Sequence, residues 1–105
     1  MQIYEYRNHI GQLQSFEIEN ALIGRRGVVR VLSRVSGVTI VQTPKLLLSW
    51  FREEEFCKFE IGGTQYLVEE PFGDNSRYWI GGPRQNDQLE IVAKAFKAQR
   101  WPFGL

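Results

Sequence analysis

Apolar and polar residues alternate with a period of two in the first part of this chain and again in its middle, and they take helical spacing near its end. Gln2 to Asn8 and Gln12 to Ile18 read as two short strands joined at Ile10-Gly11. Tyr4 and Tyr6 share one face of the first strand, and Phe16 and Ile18 share one face of the second. Phe56 to Ile61 and Thr64 to Glu69 flank Gly62-Gly63, a two-residue loop that can take positive φ at both positions. That loop length sets a register of Ile61 with Thr64, Phe59 with Tyr66 and Cys57 with Val68. Those six positions, Thr64 apart, form a core face, with Lys58, Glu60, Gln65 and Glu69 turned outward. After the loop Pro71 to Ser76, a strand from Arg77 to Ile80 completes a meander, and Gly81-Gly82-Pro83 breaks it.

The last element is a helix. Asp87 and Glu90 have capping-box spacing, Leu89, Val92, Ala93 and Phe96 form the buried stripe, and Glu90 to Lys94 is an i, i+4 ion pair. Lys97 and Arg100 suit the negative end of the dipole, and Pro102 ends the helix.

Two segments admit two readings each. From Gly24 to Val35, the residues Val28, Val31, Leu32 and Val35 make a helical stripe stopped by Ser36-Gly37, whereas the valines also suit a strand. Agreement of stripe and stop favours a helix near residues 25 to 35. Val38 to Gln42 is a strand. Lys45 to Phe51 is then another, or Thr43-Pro44 opens a short helix through Glu55.

The expected architecture is a single α+β domain spanning residues 1–105. An antiparallel sheet, built from an amino-terminal hairpin and a carboxy-terminal meander, packs against the last helix and the helix near 25 to 35. The alternative is a mostly-β curled barrel capped by the last helix, as in pleckstrin-homology-like folds.

Composition narrows the function. The 105 residues are 43% hydrophobic and 24% charged, with a formal net charge of +1. A chain of that kind builds an ordinary core without staples, and near-neutrality removes any whole-molecule attraction to nucleic acid or anionic membrane. Cys57 is the only cysteine and His9 the only histidine, which excludes an internal disulfide and a Cys/His zinc cluster. No stretch reads as a signal peptide or a membrane span, so a soluble cytoplasmic protein with no cofactor and no metal is expected.

No sequence motif with a known catalytic mechanism is present. A Cys57–His9 dyad is disfavoured because Cys57 falls mid-strand on the core face. Glu53-Glu54-Glu55, Glu69-Glu70 and Asp74 supply carboxylates for an enzyme, but nothing in their spacing pairs them. Two sets of residues are candidates for binding. Asp74, Asn75, Arg77 and Trp79 combine a polar turn with a strand bearing residue types enriched at interfaces, and Arg77 can stack on Trp79. Arg25, Arg26, Arg30 and Arg34 cluster at the start and along one side of the first helix, as an anion site does. The tail Trp101 to Leu105 is apolar enough to cover its own domain or to form a homodimer contact. A non-enzymatic protein-binding module of the immunity, inhibitor or adaptor type therefore ranks first. Nucleic-acid or phosphate binding through residues 25–34 ranks second, and a carboxylate-based enzyme third.

Overall fold

A computed structural model describes residues 1–21, 23–42, 55–70, 76–82 and 88–100, and these described residues form six strands and two helices. In chain order they are β1 (Tyr4–Arg7), β2 (Leu13–Glu19), α1 (Arg25–Ser33), β3 (Val38–Gln42), β4 (Glu55–Ile61), β5 (Thr64–Glu69), β6 (Arg77–Gly81) and α2 (Gln88–Lys97). The strands form one antiparallel sheet in the order β1-β2-β6-β5-β4-β3. It ends at β1 on one side and β3 on the other, so the sheet is open and the barrel alternative is excluded.

Local chemistry explains each element. The β4–β5 register pairs Ile61 with Thr64, Phe59 with Tyr66 and Cys57 with Val68, across Gly62 (φ 55°) and Gly63 (φ 82°). Glycine adopts these angles without the clash a Cβ would bring. At the start of β4 the register shifts between Glu55 and Cys57, and the bulge lets the consecutive residues Phe56 and Cys57 both be buried. In the β1–β2 hairpin the turn is held by Asn8, whose Oδ1 accepts from the N–H of Ile10 and of Gln12, with Gly11 at φ 87°.

Of the segment 24–36, residues Arg25–Ser33 are helical. Val28, Val31 and Leu32 are buried, and Gly37 takes φ 88° after the last turn. The helix ends at Ser33, before Val35, and its N-cap Gly24 offers no side-chain bond. Its stability therefore rests on the buried stripe, each such side chain contributing roughly 1.5–3 kcal/mol.

Both helices cover the same face of the sheet, α1 against β3 and α2 against β2, and they touch each other. The core lies between. Phe16 of β2 meets Phe96 of α2 with ring centroids 5.8 Å apart, and Phe59 stacks on Tyr66 at 5.4 Å. The edge strand β1 is tied to α2 by charge. Lys97 Nζ lies 3.3 Å from Glu5, and Arg7 lies 2.8 Å from Glu90. Glu90 thus pairs with Arg7, not with Lys94 as the i, i+4 spacing suggests, because β1 brings a guanidinium beside it. The Met1 ammonium donates to the carbonyls of Lys97 and Gln99 at the negative end of α2. The Asp87 cap, the alternatives for residues 43–54 and the tail Trp101 to Leu105 lie outside the described residues.

Candidate functional site: the outer face of the sheet

Strand alternation leaves a second sheet face, opposite the helices, with no described helix or strand over it. Cross-strand pairing orders its residues into rows, since directly paired residues point the same way. One row runs Tyr4, Glu17, Trp79, Glu69 across β1, β2, β6 and β5. The next runs Tyr6, Ser15, Gly81, Leu67, Lys58 and reaches β4. Glu19 and Arg77 lie on the other side of the first row.

The sequence candidates Arg77 and Trp79 therefore do share a face, opposite the buried Tyr78 and Ile80. They do not stack on each other. The Arg77 guanidinium lies over the Tyr4 ring, 3.7 Å from its centroid, and its Nη1 is 3.2 Å from Glu17. The indole of Trp79 leans the other way, along its own strand, into a trough left by the small residues Gly81 and Ser15. The carboxylate of Glu17 and the ring of Tyr4 hold the arginine toward β1, and the trough offers the indole better packing than the guanidinium does.

The polar groups are fixed by one another. Tyr4 donates its hydroxyl proton to Glu19 at 2.7 Å, and that bond, with some burial, holds the phenol pKa above its ordinary value. Tyr6, 45% exposed, donates to Glu17 at 3.1 Å. The hydrogen bond to Glu17 also raises the Arg77 pKa, so the cation is permanent. What results is a patch of aromatic and aliphatic surface at Tyr4, Tyr6, Leu67 and Trp79, bordered by oriented charges. Asp74 and Asn75 lie outside the described residues.

The arginine set divides. Arg25, at the first position of α1, is turned inward. Its Nη2 lies 2.7 Å from Glu70, and its guanidinium sits 4.6 Å above the Phe56 ring. Asn20 donates to the other oxygen of Glu70, so this carboxylate is held from two sides. Arg25 is thus removed from the proposed anion cluster by a partner 45 positions away. Arg26 and Arg30 on α1 and Arg34 at its C-cap remain exposed at one-turn spacing.

Other chemistry finds little support. Cys57 is buried and burial pushes its thiol pKa up to about 12. His9 is exposed at the β1–β2 turn, three strands from β4 in the sheet order counted from β2 and four counted from β1. At about 4.8 Å per strand the two groups cannot meet. Among the described residues, no group of three or more His, Cys, Asp or Glu side chains is placed to hold a metal. No described helix is long and apolar enough to cross a membrane.

Fold and face together define a small α+β domain whose antiparallel sheet is covered by helices on one side. Comparison with known protein families, with characterised proteins and with solved structures finds no match.

Proposed function

We propose that this protein is a non-enzymatic protein-binding module of the immunity, inhibitor or adaptor type, and that it binds through the outer face of its sheet. The observation that carries this reading is the arrangement around Trp79. An aromatic patch stands on the strands, uncovered by either described helix, with Arg77 already held between Tyr4 and Glu17. Side chains held in place before contact lose little entropy on binding, and Trp, Tyr and Arg dominate the energetics of most interfaces.

Affinity capture with the wild-type protein and three variants tests it. Trp79→Ala and Arg77→Ala are expected to lose a partner that Arg26→Ala, on the helical side, retains. Thermal melts run beside the capture. Trp79 is only partly buried, so Trp79→Ala should cost less than the 3–5 kcal/mol typical of a core tryptophan. A melting temperature that collapses in Trp79→Ala shows a residue serving the fold, and overturns the reading.

Phosphate or nucleic-acid binding is a second reading, favoured by the exposed spacing of Arg26, Arg30 and Arg34. It requires binding to RNA or polyphosphate that weakens steeply with salt. Replacing Arg26 and Arg30 together should reduce the slope by about two units.

A further inference from the structure

Strand β1 lies at one end of the sheet, with β2 as its single described neighbour. None of its four side chains is buried: Tyr4 is partly buried, and Glu5, Tyr6 and Arg7 are exposed. β2 differs, burying Leu13, Ser15, Phe16 and Ile18. The β1–β2 ladder is also short, and its register is irregular between Tyr6 and Arg7. Met1 and Ile3, just before the strand, pack against the core but are only partly buried. A strand so placed gains little from burial, and its hold on the domain falls largely to side-chain pairs.

Those pairs lie on both sides of the sheet. On the helical side, Glu5 meets Lys97 at 3.3 Å and Arg7 meets Glu90 at 2.8 Å. On the outer side, Tyr4 donates to Glu19, Tyr6 donates to Glu17, and the Arg77 guanidinium lies over the Tyr4 ring. Both helical-side pairs are exposed enough for salt to screen them. Alternate residues of one backbone serve the two sides, so loosening the pairs with α2 loosens Tyr4 and Tyr6 on the opposite face.

We infer that β1 is a releasable strap, and that its ion pairs with α2 set the fraction of time for which the aromatic face opposite is complete. With β1 docked, Tyr4 lies beneath Arg77, and Glu17 is shared between Tyr6 and Arg77. With β1 released, the face loses both tyrosines. Arg77 then keeps Glu17 but loses its aromatic floor, while Trp79 and Leu67 stay on β6 and β5. A partner gripping Tyr4 and Arg77 would in turn hold the strap down, because coupling between two sites is reciprocal. That regulatory consequence rests on the binding face proposed above, whereas the release itself does not.

Hydrogen exchange followed by NMR, with no partner present, tests the release. The β1 amides are expected to exchange faster than those of β5, through a local opening that low urea leaves unchanged. Lys97→Met and Glu90→Gln, both on α2 and away from the outer face, should together speed β1 exchange about fivefold. Raising salt to roughly 0.5 M should do the same in the wild type and little in the double variant. The Arg77 side-chain protons should lose part of their ring-current shift from Tyr4 in step. β1 amides as slow as those of β5, equal acceleration in both strands, or exchange indifferent to salt and to both substitutions would each overturn the inference. No partner enters the measurement, so failed capture overturns the binding reading alone and failed exchange overturns the strap alone.

Discussion

The indole of Trp79 lies against Gly81, two residues further along the same strand. A Cβ built on Gly81 would stand 2.7 Å from Cζ2 of the indole and 3.0 Å from the Cβ of Ser15. The ring occupies the space that any other residue at 81 would fill. Gly81→Ala is therefore expected to destabilise the domain by about 1–3 kcal/mol through overpacking and to displace the Trp79 indole N–H resonance. In a Trp79→Val background the same change should cost markedly less. Additive costs in that double-mutant cycle would show that the ring and the glycine are independent.

The two turn glycines differ although both have positive φ. Nothing lies where a Cβ would project from Gly63, whereas the Gln88 side chain, on the first residue of α2, occupies that space at Gly62. Asparagine tolerates left-handed backbone, so Gly63→Asn should stay within about 1 kcal/mol of the wild type. Gly62→Asn should cost clearly more, because the turn and α2 must separate. Urea denaturation of the two variants side by side decides it.

Arg25 and Glu70 link the start of α1 to the end of β5, with side chains 16% and 22% exposed. Arg25 Nη1 is buried and has no hydrogen-bond partner among the described residues, so the guanidinium relies on Glu70 and on the Phe56 face. Removing the carboxylate with Glu70→Ala should cost about 1–3 kcal/mol, the penalty for leaving a desolvated polar partner unmatched. Arg25→Met keeps the packing on Phe56 and should cost less. A coupling energy near zero in the corresponding cycle would reduce this pair to surface decoration.

Alkaline pH should unfold the domain early. Burial pushes the Cys57 thiol from 9.0 and the Tyr78 hydroxyl from 10.0 up to about 12 each, with the nearby Glu70 also raising Tyr78. These acids stay protonated in the fold while the unfolded chain loses its protons. The folded state then binds more protons, and stability falls as pH rises from about 9 toward about 12. Each group contributes a slope of about 1.4 kcal/mol per pH unit within its window. Denaturation curves at neutral pH and at pH near 10–11 measure it, and Cys57→Ala should flatten the first part of the fall. A thiol reagent at neutral pH should label Cys57 only as fast as the chain opens.

What the sequence made legible was local. The β4–β5 register followed from the loop length and the alternation of Cys57, Phe59, Ile61, Tyr66 and Val68. The buried stripe of α2 and the helical state of α1 followed from spacing and a glycine stop. So did the common face of Arg77 and Trp79, because alternation along a strand is a property of that strand alone. Contacts between distant segments were not legible. Neither Glu17 nor Tyr4 announces that it will sit beside Arg77, and the pairing of Glu90 with Arg7 overrides a sound local preference for Lys94. The inward turn of Arg25 has the same origin in Glu70. The indole trough needed a glycine and a serine from different strands, a coincidence that only the β2–β6 register creates.

That register has a kinetic meaning. Every other neighbouring pair of strands among β1–β2, β4–β5 and β5–β6 is also consecutive in the chain, but β2 and β6 meet across a span in which Arg77 and Glu17 are 60 positions apart. A hairpin closes in about 1–10 μs, whereas a contact of such separation must first overcome the entropy of a long loop. The β4–β5 and β1–β2 hairpins are thus both free to form early, and the docking of β2 on β6 waits until β6 has an edge to offer. Folding of the whole chain is therefore expected to be limited by this one seam and to be slower than hairpin closure, which stopped-flow refolding of a variant weakened at the β2–β6 pairing would check. The same seam is where the aromatic face comes into being, so the surface proposed for binding is absent from any partly folded chain.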